Sequence, residues 1–161
     1  MKKAISSLVL GLLLMGSGSA FADALGQGAP APDFKIQLPD GKSERLVDLK
    51  GKVVVLDFWA SWCPWCVKEL PDVNQISQAN GGVVVIGVND EAAATIRQAS
   101  ADLGLTFQTV SDADESIATL YGVSALPNSV VIDANGKIAA VIEGYHDDGS
   151  LAHAVQNALT E

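Results

Sequence analysis

Val53-Val54-Val55-Leu56-Asp57-Phe58-Trp59-Ala60-Ser61-Trp62-Cys63-Pro64-Trp65-Cys66 is the stretch from which the fold is read, and it holds both cysteines of the chain. Its first four residues are apolar and mostly β-branched, as a buried strand requires. Val67-Lys68-Glu69-Leu70 behind it suits a helix, so the cysteines stand where a strand hands over to a helix. A thiol there faces unpaired backbone N–H groups and the positive end of the helix dipole, and both favour thiolate. Two intervening residues let a small disulfide ring close and reopen by exchange. So short a loop restrains the unfolded chain very little, which argues against a purely structural staple. Cys-x-x-Cys also opens zinc sites, but those complete four ligands with a second Cys or His pair. Here there is no third cysteine, and His146 and His153 lie far along the chain. The spacing favours redox chemistry, with a copper- or zinc-binding dithiol as the competing reading from another class.

The first residues read as an address. Met1-Lys2-Lys3 is a positive n-region, Ala4 to Met15 is an apolar run too short to span a membrane comfortably, and Ala20-Phe21-Ala22 offers small residues at a cleavage site. The expectation is a signal peptide over residues 1–22, cut after Ala22, and a single domain over 23–161; an uncleaved anchor is the alternative. No cysteine follows the apolar run to carry a lipid. Cleavage takes two lysines and no acids from a chain of 10 basic and 19 acidic residues, so the net charge moves from −9 to −11. So acidic a protein is not expected to bind nucleic acid or anionic headgroups. The predicted compartment lies outside the cytoplasm, where disulfide chemistry is permitted.

Asp23 to Pro32 reads as a loose lead-in. Phe34 to Leu38 alternates apolar and polar, Pro39-Asp40-Gly41-Lys42 makes a turn, and Leu46 to Lys52 is a second short element. A helix is predicted over Cys63–Ala79, kinked by Pro71 and stopped by Asn80-Gly81-Gly82. Val83 to Asn89 is a second apolar strand, as in a sheet covered on both faces. A helix over Glu91–Leu103, a strand over Phe107–Val110 and a short helix over Asp114–Tyr121 follow. Val130–Asp133 and Ile138–Glu143 form a hairpin about Asp133–Lys137. Asp147–Leu159 closes the chain as an amphipathic helix with Leu151, Val155 and Leu159 on one face.

Several of these segments together resemble the thioredoxin superfamily. Val-Val-Leu-Asp-Phe-Trp-Ala-Ser-Trp-Cys-Pro-Trp-Cys is similar to its active-site segment, and Pro71, five residues past Cys66, matches a thioredoxin proline. The N-terminal hairpin, the helix-and-strand insertion after Asn89 and the loop Gly122-Val123-Ser124-Ala125-Leu126-Pro127 resemble the periplasmic TlpA/ResA-like oxidoreductases, with Redoxin or AhpC/TSA-type domains. The likeness covers Ala31 to the C-terminus. It implies an α/β fold, a thioredoxin-like three-layer sandwich with a mixed central sheet and an N-terminal β-hairpin. It implies Cys63 as a solvent-facing nucleophile, Cys66 as the buried resolving thiol and a redox-active Cys63–Cys66 disulfide in place of any cofactor or metal. Pro127 matches the cis-proline that faces the cysteines and leaves the backbone of Leu126 to pair with a partner. Asp57 matches the buried aspartate that takes a proton from the resolving thiol. Glu69 matches the glutamate that ResA-like proteins carry after their second cysteine, with a plain helix-surface acid as the alternative. Asn128-Ser129 departs from the threonine common after this proline, and Trp65 fills a position where smaller residues are commoner.

The expected partner-binding face is Trp62, Pro64, Trp65, Leu126 and Pro127, while Phe58, Trp59 and Tyr121 read as packing and the histidines as surface residues. The leading function is a monomeric periplasmic reductant of cysteine-containing protein substrates, recharged by a membrane or periplasmic thiol–disulfide donor; the resemblance offers cytochrome c maturation as one setting. A DsbA-like oxidant is the competing enzyme, although Cys-Pro-Trp-Cys lacks the histidine of such sites and the chain leaves little room for their helical domain. Peroxidase activity fits poorly, since no Pro-x-x-x-Thr-x-x-Cys loop is present.

Overall fold

The computed structural model describes residues 25–37, 43–79 and 81–160; the expected signal peptide, the Pro39–Lys42 turn and Asn80 lie outside them. The central strand, β3 (Val53–Trp59), is buried along its whole length. It pairs in parallel with β4 (Val83–Asn89), which pairs in parallel with β5 (Gln108–Ser111). On its other side β3 runs antiparallel to β6 (Asn128–Ile132), and β6 antiparallel to β7 (Ile138–Glu143), giving the order β5-β4-β3-β6-β7. The apolar runs lie in a covered sheet, and that sheet is mixed as the family resemblance implies.

Alternation along β3 divides the core in two, because successive strand side chains face opposite ways. Val53, Val55 and Trp59 meet Cys66, Leu70 and Val73 of α1 (Pro64–Gln78) and Leu151, Val155 and Ala158 of α4 (Ser150–Ala158). Val54, Leu56 and Phe58 meet Phe34, Ile36, Leu46 and Tyr121 on the opposite face. There lie an antiparallel hairpin of β1 (Lys35–Gln37) and β2 (Ser43–Arg45) and a short helix, α3 (Ser116–Leu120). This is the three-layer thioredoxin-like sandwich with its N-terminal hairpin. A further helix, α2 (Ala93–Asp102), links β4 to β5.

Several element ends shift by one to three residues from those expected, and four features differ in kind. The hairpin's second strand is Ser43–Arg45, and Leu46–Leu49 is a 3-10 turn. Ser-Glu-Arg shows no apolar alternation, so its pairing was illegible without its partner. The lead-in is not loose, since Gly28 and Ala31 donate to the carbonyls of Ile138 and Gly136 and the Tyr121 hydroxyl donates to that of Pro32. Glu91 precedes α2 instead of opening it. In α4 the buried stripe is Leu151, Val155 and Ala158, with Leu159 40% exposed. At 3.6 residues per turn, i+7 stays on the face that i+8 is leaving. Pro71 lies inside α1, which continues unbroken to Gln78.

Gly87, opposite Asp57 in the β3–β4 ladder, has a packing role. A Cβ there would lie 2.7 Å from Trp59 Nε1 and 3.1 Å from the Phe107 ring. Because those rings are enclosed, Gly87→Ala should cost about 1–3 kcal/mol, the scale of core overpacking. A urea midpoint equal to the parent's would show that the indole moves aside freely.

Candidate active site

Cys63 is the N-cap of α1, with extended backbone (φ −92°, ψ 107°), and Pro64 at the first helical position has no N–H to leave unpaired. The Cys63 N–H donates to the Ala60 carbonyl at 3.2 Å, closing the turn out of β3. Cys63 and Cys66 are joined as a disulfide with Cα atoms 5.3 Å apart. Cys63 Sγ also accepts from the Cys66 N–H at 3.1 Å. Cys66 is 1% exposed, as expected for a resolving thiol, but Cys63 is only 5% exposed. The expectation of a solvent-facing sulfur is therefore corrected for the disulfide state. In the disulfide, Sγ lies against the first turn of the helix, where the Cys66 N–H donates to it.

Around this nearly buried disulfide the surface is aromatic. Trp62 and Trp65 are 63% and 57% exposed, and Pro64 is exposed between them. Trp65 stacks on Tyr145 with ring centroids 5.7 Å apart, and Lys68 Nζ lies 5.2 Å and 4.6 Å from the two centroids. The Leu126–Pro127 bond is cis. Leu126 packs against the cluster containing both cysteines. The same loop borders two hollows, one of about 340 Å³ beside Trp62 and one of about 450 Å³ beside Trp65 and Tyr145. The Pro127 carbonyl accepts from the Gly144 N–H, while among the described residues no backbone bond takes either group of Leu126. Trp62, Pro64, Trp65, Leu126 and Pro127 are thus gathered about one site, whereas Trp59, Phe58 and Tyr121 are core.

Beneath the disulfide lie two carboxyl groups. Asp57 projects to the face that α1 covers, with one oxygen accepting from Ser129 Oγ at 3.2 Å and the other, Oδ2, without a partner. Burial, with Glu69 adding its charge, pushes Asp57 up to about 8 against the relief given by Ser129. Glu69, one helical turn past Cys66, is 5% exposed, so the surface-acid alternative is corrected. Burial carries it up to about 7, with His146 opposing and Asp72 reinforcing the rise. His146 and His153 are exposed, as expected. Among the described residues no group of three or more His, Cys, Asp or Glu side chains is placed to hold a metal.

Two contributors escaped the sequence reading. Ser129 stands where a threonine is common, and among the described residues its hydroxyl is the one hydrogen-bond partner of the Asp57 carboxyl. Glu91, read as a helix start, accepts hydrogen bonds from Ser61 in the turn before Cys63. No local pattern announces either contact, since the partners lie 72 and 30 residues apart.

A disulfide capping a helix, a cis-proline loop beside it and a mixed five-stranded sheet beneath define a thiol–disulfide oxidoreductase of the thioredoxin fold. The AhpC/TSA family model matches residues 27–141. ResA, a thiol–disulfide oxidoreductase of Bacillus subtilis, is 33% identical over 153 residues, covering 93% of this chain and 85% of its own. ResA of Geobacillus thermodenitrificans is 36% identical over 124 residues, 75% and 71% of the two chains. Among solved structures, a putative thiol:disulfide interchange protein DsbE from Chlorobium tepidum superposes with a TM-score of 0.77 at 33% identity, covering 84% of this chain and 99% of that one. A secreted Mycobacterium tuberculosis disulfide oxidoreductase superposes with a TM-score of 0.67 at 27% identity, covering 77% and 95%. The chain belongs to the AhpC/TSA family, as a TlpA/ResA-like thiol–disulfide oxidoreductase of the thioredoxin superfamily.

The buried acid beside Cys66 leads to a titration test. Glu69→Gln removes a carboxyl that ionises near neutrality, on the helix face of the resolving thiol. A neighbouring negative charge opposes thiolate formation, so the alkylation-versus-pH curve of the reduced variant should shift to lower pH. A curve superimposable on the parent's would leave Glu69 a packing role only.

Proposed function

We propose that the protein works outside the cytoplasm as a monomeric reductant of protein disulfides, with residues 1–22 as its signal peptide. The Cys63 thiolate attacks one sulfur of a partner's disulfide, forming a mixed disulfide as the partner's other sulfur leaves as a thiol. Asp57 takes the proton of Cys66, whose thiolate then attacks Cys63 Sγ and releases the partner as a dithiol. The enzyme is left as the Cys63–Cys66 disulfide and is reduced again by a membrane or periplasmic dithiol donor. Leu126, with unpaired backbone groups, and Pro127, Trp62, Pro64 and Trp65 hold the partner's extended segment. The cysteine pair of an apocytochrome c haem site is the substrate class put first. No cofactor beyond the disulfide takes part.

The observation that carries the reducing direction is the buried Asp57–Glu69 pair beneath a helix-capping disulfide. A couple oxidises others when its reduced, thiolate form is strongly stabilised. Here the helix N-terminus stabilises the Cys63 thiolate, but Glu69 once ionised above about 7, and Asp57 above about 8, oppose further negative charge, and no histidine lies between the cysteines. The potential should therefore lie nearer about −270 mV, the thioredoxin scale, than about −120 mV, the DsbA scale. Equilibration against a glutathione or dithiothreitol series measures it. A value above about −180 mV, the scale of protein disulfide isomerase, would make the protein an oxidant. Export is checked separately: the mature N-terminus should be Asp23, and a membrane-bound chain still beginning at Met1 would mean a retained anchor.

A further inference from the structure

Ser61 stands in the turn between β3 and α1, and both of its donors are taken by one carboxylate. Its N–H donates to Glu91 Oε2 and its hydroxyl to Glu91 Oε1, each at 2.7 Å. Glu91 is itself held: its N–H donates to Asn89 Oδ1 at 2.8 Å, Asn89 Nδ2 donates to Oε2 at 3.3 Å, and Ser111 Oγ donates to its carbonyl at 2.7 Å. Burial acts to raise the pKa of Glu91, but the bonds from Ser61 and Asn89 outweigh it and hold the carboxyl below the usual glutamate range. Beyond Ser61, the turn is tied among the described residues by the 3.2 Å bond from the Cys63 N–H to the Ala60 carbonyl and by a long bond, 3.4 Å, from the Trp62 indole N–H to Asp90 Oδ1. The segment bearing Cys63 is therefore bolted to the end of β4 by a two-pronged, charge-assisted grip.

We propose that Glu91 is a positioning residue for the redox couple: by gripping Ser61 it keeps the Ala60–Cys63 turn in ring-closing geometry when the sulfurs are apart, and so favours the disulfide. In the oxidised protein the S–S bond fixes the Cys63 end of this turn against α1. In the dithiol that tie is gone and the grip is the shortest restraint left on the turn; without it the turn gains freedom that ring closure must remove again. Loss of the grip therefore weakens the oxidised form by the lost bonds, and the dithiol by less, because the loosened turn recovers entropy. The relevant equilibrium is protein dithiol plus glutathione disulfide giving protein disulfide plus two glutathione thiols; two electrons and two protons pass to glutathione. The inference rests on dithiol–disulfide exchange alone and holds whichever way electrons flow in the cell.

The test compares Glu91→Gln, Ser61→Ala and Ser61→Thr in the full-length protein. An amide carries no charge and can meet the Ser61 hydroxyl only by donating to it while its one oxygen accepts from the Ser61 N–H, so Glu91→Gln exchanges the charge-assisted pair for weaker neutral bonds. Its equilibrium constant for oxidation by glutathione disulfide should fall about tenfold, some 30 mV for this two-electron couple. Ser61→Ala, which leaves the charge in place, should fall in the same direction by a smaller factor, and Ser61→Thr, which keeps the hydroxyl, should match the parent. In both weakened variants the oxidised form should lose more thermal stability than the reduced form. Equal losses in the two forms with an unchanged equilibrium would make the grip merely structural and overturn the proposal. A shift in Glu91→Gln with none in Ser61→Ala would assign the effect to the charge, and would overturn it equally.

Discussion

Replacing Asp57 with asparagine should slow release of a mixed disulfide by about 10²–10⁴-fold, the range for a lost general base, while leaving its formation nearly unchanged. The first attack needs only the Cys63 thiolate, which the helix N-terminus stabilises without help from Asp57. The second needs a proton removed from Cys66, which lies 1% exposed where water has little access. Asp57 lies on the sheet face that α1 covers, and burial together with Glu69 places it at about 8, close to an unperturbed thiol. A base so matched exchanges a proton with little loss in either direction. Stopped-flow measurement of the two steps separates them, and equal slowing of both would remove Asp57 from the proton transfer.

The same substitution should stabilise the oxidised protein, and increasingly so at higher pH. The folded aspartate titrates near 8 and its ordinary value is 3.8, so between these the folded state holds a proton that the unfolded chain has released. Stability must then fall as pH rises through that window. Below the window the parent and Asp57→Asn differ only by the packing of an amide; above it the parent carries a buried charge, a difference of several kcal/mol at about 1.4 kcal/mol per pH unit. Denaturation midpoints at pH 5 and pH 9 give the slope. A gap between the two proteins that does not widen would mean that the folded carboxyl ionises at its ordinary value.

The second large effect concerns the cysteines. Cys66→Ser should convert the enzyme into a trap, because Cys63 still attacks a partner disulfide but nothing resolves the adduct. Covalent partner complexes should accumulate to near stoichiometry and dissolve on adding dithiothreitol. Cys63→Ser should form none, since Cys66 lies beneath the first turn where a partner's sulfur does not reach it. Adducts of the reverse pattern, through Cys66 in the Cys63→Ser protein, would exchange the two roles.

Local chemistry determined a large part of this protein in advance. Continuous apolar runs have one home, a sheet covered on both sides, and Val83–Asn89 was legible to the residue for that reason, while Ile138–Glu143 was legible from the hairpin turn that precedes it. The position of the cysteines at a helix N-terminus followed from Val53–Leu56 before them and Lys68-Glu69-Leu70 behind, whereas the cis bond before Pro127 was implied by the resemblance of its loop to that of the thioredoxin superfamily. What the tertiary structure alone decided are contacts between residues far apart in the chain. The Ser129 hydroxyl on Asp57, the Glu91 grip on Ser61 and the stack of Trp65 on Tyr145 join segments that share no local signature. The same holds for burial of a polar residue. Glu69 reads as a surface acid on its own helix and is enclosed only because α1 lies against β3, with the loop bearing Tyr145 and His146 against its first turn. A side chain's pattern within its own element states which face it takes, whereas its solvation, and so its acidity, depends on what the rest of the chain places over that face.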